Sequence, residues 1–307
     1  MTTRFRGITV REGLIFEGPA GWSEFSPFLD YDDTQSAPWA AAAIASAQHD
    51  WPAPLRDVIP VNCTVPAVGP EAAARIVLAS NGCRTAKIKV ADPGQSLADD
   101  IARVEAVRDA LGSGGRIRID VNGLWSVDEA IARIGRLDRA AGGLEYVEQP
   151  CRTVEELATV RRRVDVPIAA DESIRRAADP MRVVELDAAD IAVLKVQPLG
   201  GVAACLRIAE QIGIPVVVSS ALETSIGLAA GIALAAALPE LPYACGLATT
   251  SLLTADVVAH PLAPVDGALP VGRIVADPER LAAVAADDET TARWTARFDA
   301  IRKDLGL

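Results

Sequence analysis

Arg116-Ile117-Arg118-Ile119-Asp120-Val121-Asn122 alternates polar and apolar side chains and carries a carboxylate near its end. Successive side chains of a strand point to opposite faces, so Ile117, Ile119 and Val121 share one face and Asp120 stands on the other. Working outward, Ala86-Lys87-Ile88-Lys89-Val90 reads the same way, with two lysines on one face. Glu148, Asp171 and Lys195 end three further strand-like segments. The successive spacings along Lys89, Asp120, Glu148, Asp171 and Lys195 are 31, 28, 23 and 24 residues. One strand plus a crossover helix takes roughly 30 residues, so each of these residues closes one βα unit. The C-terminal strand ends of such a barrel converge on one mouth. Three carboxylates between two amines at that mouth point to a metal site flanked by two bases. Asp171 follows Ala169, and Lys195 follows Ile191 and Val193, which predicts an apolar inner floor below the charged tips.

The fold class that follows is α/β, a (β/α) barrel of the TIM type with an α+β capping domain in front. Residues 1–57 form the cap, with short strands at Ile8–Phe16 and Gly21–Phe25 around the Gly18-Pro19 turn. A helix is predicted over Ala37–Gln48 with Ser36 as its cap. Residues 58–255 hold eight strands, near 61–65, 85–90, 116–122, 144–148, 168–171, 191–196, 216–219 and 244–247. Residues 256–307 form a tail with a helix near 290–304 that packs back on the cap.

Bulk composition narrows the function. A chain of 307 residues accommodates one barrel of ~250 residues and an extra piece. A formal net charge of −11 opposes nucleic acid or an anionic membrane as partner. The apolar stretches, such as Ala40–Ala47 and Gly227–Ala237, fall short of the ~20 residues a membrane helix needs. Cys63, Cys83, Cys151, Cys205 and Cys245 are odd in number and scattered, without a Cys-x-x-Cys pair. Reduced thiols and a cytoplasmic location are expected. His49 and His260 are the only histidines and neither falls on a strand end, which sets aside a histidine base.

Asp120, Glu148 and Asp171 supply hard oxygen ligands, favouring Mg²⁺ or Mn²⁺ over zinc. Abstracting a proton α to a carboxylate builds an enediolate, whose charge a divalent ion stabilises. The base must be an amine that is neutral part of the time. Lys89, beside Lys87 and a divalent cation, is expected to have a lowered pKa. Lys195 reaches the substrate from the opposite side.

The set Lys87-Ile88-Lys89, Asp120-Val121-Asn122, Tyr146-Val147-Glu148-Gln149-Pro150, Ala170-Asp171-Glu172-Ser173 and Val193-Leu194-Lys195 resembles the enolase superfamily, and within it the o-succinylbenzoate synthase family of the actinobacterial type. The similarity extends to Arg4-Phe5-Arg6-Gly7 and Gly18-Pro19-Ala20-Gly21-Trp22. Such sites use a Lys or His base with one or two Mg²⁺ ions. The resemblance implies Lys89 as α-proton base, Asp120, Glu148 and Asp171 as Mg²⁺ ligands, and Lys195 as a positive charge near the enediolate. It implies Lys87, Asn122 and Ser219 as substrate-side residues, and Glu172 as a group orienting Lys195 or another polar neighbour. The implied reaction is dehydration of a cyclohexadiene dicarboxylate to 2-succinylbenzoate in menaquinone biosynthesis. N-acylamino acid racemases and dipeptide epimerases carry the same five residues and remain an alternative. A Schiff-base lyase on Lys89 or Lys195, or a binding barrel without chemistry, also stays open. The chain begins almost at Arg4, whereas the family usually has a further strand there, so a late start or an abbreviated cap is expected.

Overall fold

The computed structural model describes residues 1–176 and 179–306. The chain opens with an antiparallel hairpin, β1 (Leu14–Gly18) and β2 (Gly21–Phe25), and then α1 (Asp33–Gln48). The alternating part runs β3 (Val58–Pro60), β4 (Cys63–Val65), α2 (Pro70–Leu78), β5 (Thr85–Lys89), α3 (Leu97–Leu111), β6 (Arg116–Asp120) and α4 (Val127–Ala141). It continues through β7 (Leu144–Glu148), α5 (Val154–Arg161), β8 (Ile168–Ala170), α6 (Glu172–Arg175) and α7 (Arg182–Glu185). Then come β9 (Ile191–Leu194), α8 (Val202–Ile212), β10 (Val216–Val218) and α9 (Ser225–Ala237). The chain closes with β11 (Ala268–Pro270), α10 (Pro278–Ala283) and α11 (Asp288–Asp304).

Local sequence starts the crossover helices. Ser96 with Asp99, Ser126 with Glu129 and Thr153 with Glu156 form capping boxes that satisfy otherwise orphaned backbone donors of α3, α4 and α5. The same device corrects the expectation for α1. Asp32, not Ser36, is its cap, with Gln35 completing the box, so the helix begins four residues before Ala37. Ser36 instead donates its hydroxyl to the Asp32 carbonyl at 2.7 Å.

Strands β4 to β10 form one parallel sheet in sequence order among the described residues. The eighth strand predicted at 244–247 is reduced to a rung, in which Cys245 bridges Val61 and Gly246 bridges Ser219, both in parallel. These two residues close the sheet on itself. Gly246 allows the approach, since a Cβ there would lie 2.5 Å from the Ser219 hydroxyl oxygen. Outward apolar residues such as Ile88, Ile119, Val147, Leu194 and Val218 pack under the helices, while Tyr146, Ala169, Ile191, Val193 and Val217 form a separate inner cluster.

The cap has its own aromatic core, to which α11 contributes. Phe298 lies 5.3 Å from Phe16 and 4.9 Å from Phe25 between ring centroids, and Trp294 meets Phe25 edge-on at 6.0 Å. Phe25 and Trp39 are fully buried, each side chain worth about 2–3 kcal/mol relative to exposure. No helix among the described residues is long and apolar enough to cross a membrane.

Candidate active site

Sheet register assembles the site. Lys89 pairs with Asp120 across β5 and β6, and Asp120 pairs with Glu148 across β6 and β7, so the three side chains enter the barrel side by side. Glu148 pairs with Ala169 on β8, and Asp171 lies two residues further along the same face. Lys195 stands two residues beyond Val193 in the same way. The inner floor of Ala169, Ile191 and Val193 lies beneath both tips. Asp120, Glu148 and Asp171 are buried, as is Lys195.

Each carboxylate is engaged by a cation. The Lys89 ammonium lies 2.5 Å from Asp120 and donates to the Asn122 side-chain oxygen at 2.5 Å. Lys87 donates to both oxygens of Glu148 at 2.9 Å and stands 3.5 Å from Asp120. Asp171 is shared, one oxygen taking Lys195 at 2.6 Å and the other Arg175 at 2.9 Å. Burial raises the Asp120 carboxyl, but Lys89 and Lys87 outweigh it and hold it low. Burial likewise opposes ionisation of Asp171, and Arg175 and Lys195 overcome it. Glu148 goes the other way: burial first, then the Asp120 charge, push it up to about 7. Burial alone would lower Lys87, yet Glu148 and Asp120 keep its ammonium strongly favoured.

The remaining sequence candidates take distinct places. Asn122 sits at the mouth in a left-handed conformation, φ 52°. Such backbone strain in a non-glycine residue recurs at functional sites. Glu172 does not reach Lys195: its carboxylate accepts from Arg175 at 2.5 Å and from Asn122 at 3.3 Å. The reason is the turn of the chain into α6 immediately after Asp171, which leaves Asp171 alone facing Lys195. Ser219 is buried with its hydroxyl 3.5 Å from the Gly246 carbonyl. Lys87 lies below the mouth with the carboxylates.

Three residues to which the sequence assigned no role shape the site. Gln149 is fully buried at φ 42°, and its side-chain oxygen accepts from the backbone of Asp171 at 3.0 Å and of Ser173 at 3.1 Å. It thereby locks the Asp171 turn onto the end of β7. Arg175 grips Asp171 and Glu172 and donates to the hydroxyl of Tyr31, which belongs to the cap. The spacing of four residues between Asp171 and Arg175 was the available signal. Phe5 of the cap lies over Lys89, the ammonium 5.1 Å from the ring centroid. Phe5 is held there by reciprocal backbone bonds with Ile8 at 3.1 and 3.0 Å, across a turn in which Arg6 and Gly7 both take positive φ. That is the type I′ geometry.

A cavity of about 990 Å³ opens between cap and barrel, lined on the barrel side by Lys89, Asn122, Arg152, Glu172 and Arg176 and on the cap side by Arg4 to Ile8. The donor set beside it suits a hard divalent cation. Three buried carboxylates end adjacent strands, and the Asp120 charge adds to burial in raising Glu148. As the side chains stand, no three Asp, Glu, His or Cys groups among the described residues are gathered tightly enough to ligate one ion. Each faces an ammonium or guanidinium partner instead. Gathering the three requires side-chain rotation, since the strand register already makes Asp120 and Glu148 neighbours.

Comparison with known proteins follows this geometry. Residues 70–277 match the family described as enolase C-terminal domain-like, and residues 1–47 match enolase N-terminal domain-like. The o-succinylbenzoate synthase of Thermobifida fusca is 66% identical over 302 residues, covering 98% of this chain and 93% of that protein. The o-succinylbenzoate synthase of Mycolicibacterium smegmatis is 57% identical over 297 residues, covering 97% and 91%. Among solved structures, muconate cycloisomerase from Pseudomonas fluorescens superposes with a TM-score of 0.73 at 23% identity, covering 89% of this chain and 97% of that one. That likeness concerns the fold alone.

Proposed function

The chain belongs to the enolase superfamily, and from that membership we propose that it is an o-succinylbenzoate synthase, a hydro-lyase acting at the mouth of its barrel. The substrate of this reading is 2-succinyl-6-hydroxy-2,4-cyclohexadiene-1-carboxylate, and the products are 2-succinylbenzoate and water, within menaquinone biosynthesis. The observation that carries it is the identity of 66% and 57% over nearly the full length to two o-succinylbenzoate synthases, and the register line of Lys89, Asp120 and Glu148 with the Asp171–Lys195 pair supplies the chemistry.

Asp120, Glu148 and Asp171 are the residues that hold a divalent cation, taken here as Mg²⁺. When bound, it supplies positive charge against the charge developing on the substrate carboxylate. Lys89, as the free amine, takes the α-proton. It then delivers that proton to the departing hydroxyl on the neighbouring carbon, releasing water and leaving the aromatic ring. Asn122 accepts a hydrogen bond from Lys89 and so orients it. Lys195, pinned to Asp171, contributes fixed positive charge from the other side. Phe5 and the cap turn exclude water from Lys89.

Turnover of the cyclohexadiene substrate by the purified chain, followed by ultraviolet absorbance, is the test. Activity is expected to vanish in a chelator and return with Mg²⁺ or Mn²⁺. Full activity in the chelator, or no dehydration with metal restored, overturns the reading. A parallel assay on N-acylamino acids addresses racemisation, which Lys89 and Lys195 on opposing sides make chemically accessible.

A further inference from the structure

The cavity above Lys89 inverts the charge of the molecule around it. A chain with a formal net charge of −11 lines this one space with Arg4, Arg6, Lys89, Arg152, Arg176 and Arg182, against Asp30, Asp92 and Glu172. Two of those acids are already satisfied: Asp30 pairs with Arg6 at 3.1 Å and Glu172 with Arg175 at 2.5 Å. Arg182 is likewise taken, by Glu155 at 2.7 Å. Arg4, Arg152 and Arg176 have no carboxylate within ion-pair distance among the described residues. Arg176 is also held in place, its guanidinium 4.7 Å above the Tyr31 ring, a stacking that lowers the cost of ordering it on a ligand.

The cavity therefore carries two sets of groups. Lys89 and Asn122 stand where the chemistry is proposed, and the same wall carries three unpaired guanidiniums from the cap, the loop after β7 and the loop after α6. About 990 Å³ is far more space than one carboxylate fills. Guanidinium presents a planar fork matched to carboxylate oxygens. Ser219, the serine the resemblance suggested for a second carboxylate, is not among the residues lining this cavity and faces Gly246.

We propose that Arg4, Arg152 and Arg176 form the subsite for a second carboxylate, so that the cavity takes a dianionic ligand with one carboxylate at Lys89 and Asn122 and the other under the guanidiniums. Only the identity of that ligand rests on the synthase reading above. Because two of the three arginines belong to the barrel and one to the cap, the second carboxylate also draws the two parts together over the substrate.

The test measures binding of 2-succinylbenzoate and of its methyl ester at the succinyl carboxylate, by calorimetry with Mg²⁺ present. The full-length protein is compared with R152A/R176A, R4A/R152A/R176A and S219A. The unaltered chain is expected to prefer the diacid by about tenfold or more, the worth of one or two hydrogen bonds between charged groups. The triple variant should lose that preference while binding the ester unchanged, and S219A should retain it. All three arginines are exposed, so the variants should fold, which their thermal midpoints check. Absence of binding or of diacid preference in the unaltered chain, its survival in the triple variant, or its loss in S219A each overturns the proposal. Dehydration is assayed separately. No turnover with diacid preference intact would remove the synthase reading and leave the arginine subsite standing.

Discussion

Glu223→Gln should stabilise this protein above neutral pH and not below it. Glu223 is buried where the barrel meets the cap, its carboxylate accepting from the Ala221 backbone at 2.6 Å. Glu24 of β2 reaches the same junction, accepting from the Thr224 backbone at 3.0 Å and the Gly227 backbone at 3.2 Å at the start of α9. Burial first, then the Glu24 charge, push Glu223 up to about 7 from an ordinary 4.5, and hydrogen bonds from the backbone, with a smaller pull from Arg11, recover only part of the difference. A folded value above the unfolded one means that the folded state holds the proton more tightly. The associated stability is fully present below the unfolded value and is lost as pH rises through about 7. At roughly 1.4 kcal/mol per unit, the loss reaches about 3 kcal/mol at pH 8 and is within about 1 kcal/mol at pH 5. Glutamine keeps an acceptor for Ala221 but cannot ionise. Urea unfolding of both proteins at pH 5 and pH 8 cancels the titration of groups remote from Glu223 in the difference. The variant is expected to be more stable by up to about 3 kcal/mol at pH 8, with most of that gain gone at pH 5. A variant less stable at pH 8, or a difference indifferent to pH, refutes the reasoning.

Three further outcomes test other parts. Lys89→Arg keeps the charge but does not deprotonate near neutral pH, so single-turnover dehydration should fall ~10²-fold or more, while Lys195→Arg keeps measurable turnover; the reverse order exchanges their roles. Arg175→Met releases one oxygen of Asp171 and the cap hydroxyl of Tyr31, and divalent-ion affinity by calorimetry should weaken ~10-fold or more, as for other groups that orient metal ligands; unchanged affinity separates Arg175 from the cation site. Gly18→Ala would place a Cβ 2.5 Å from the Ala47 carbonyl oxygen, so the β1–β2 turn must move off α1 at a cost of about 1–3 kcal/mol, read as a lowered unfolding midpoint; an unchanged midpoint shows the turn to be free of that contact.

The sequence by itself determined the barrel and the positions of Lys89, Asp120, Glu148, Asp171 and Lys195 at its strand ends. The physical reason is local: side chains alternate along a strand, and one βα unit has a nearly constant length. Capping boxes at Ser96, Ser126 and Thr153 were equally local, and the cap of α1 was misplaced by four residues because Asp32 competes with Ser36 for the same role. The partners of those charged tips were decided only by the tertiary structure. Glu172 meets Asn122 from another strand end, Gln149 holds the Asp171 turn, and Arg175 reaches Tyr31 across 144 residues of sequence. The eighth strand is present only as bridges at Cys245 and Gly246, a closure that depends on its distant partners Val61 and Ser219. Arg4, Arg152 and Arg176 carry no periodic signature, lying on separate loops that meet only when the cap is seated on the barrel. Periodicity is written in neighbours along the chain, whereas the pairing of charges is settled by which loops the closed barrel brings within a few ångströms of one another.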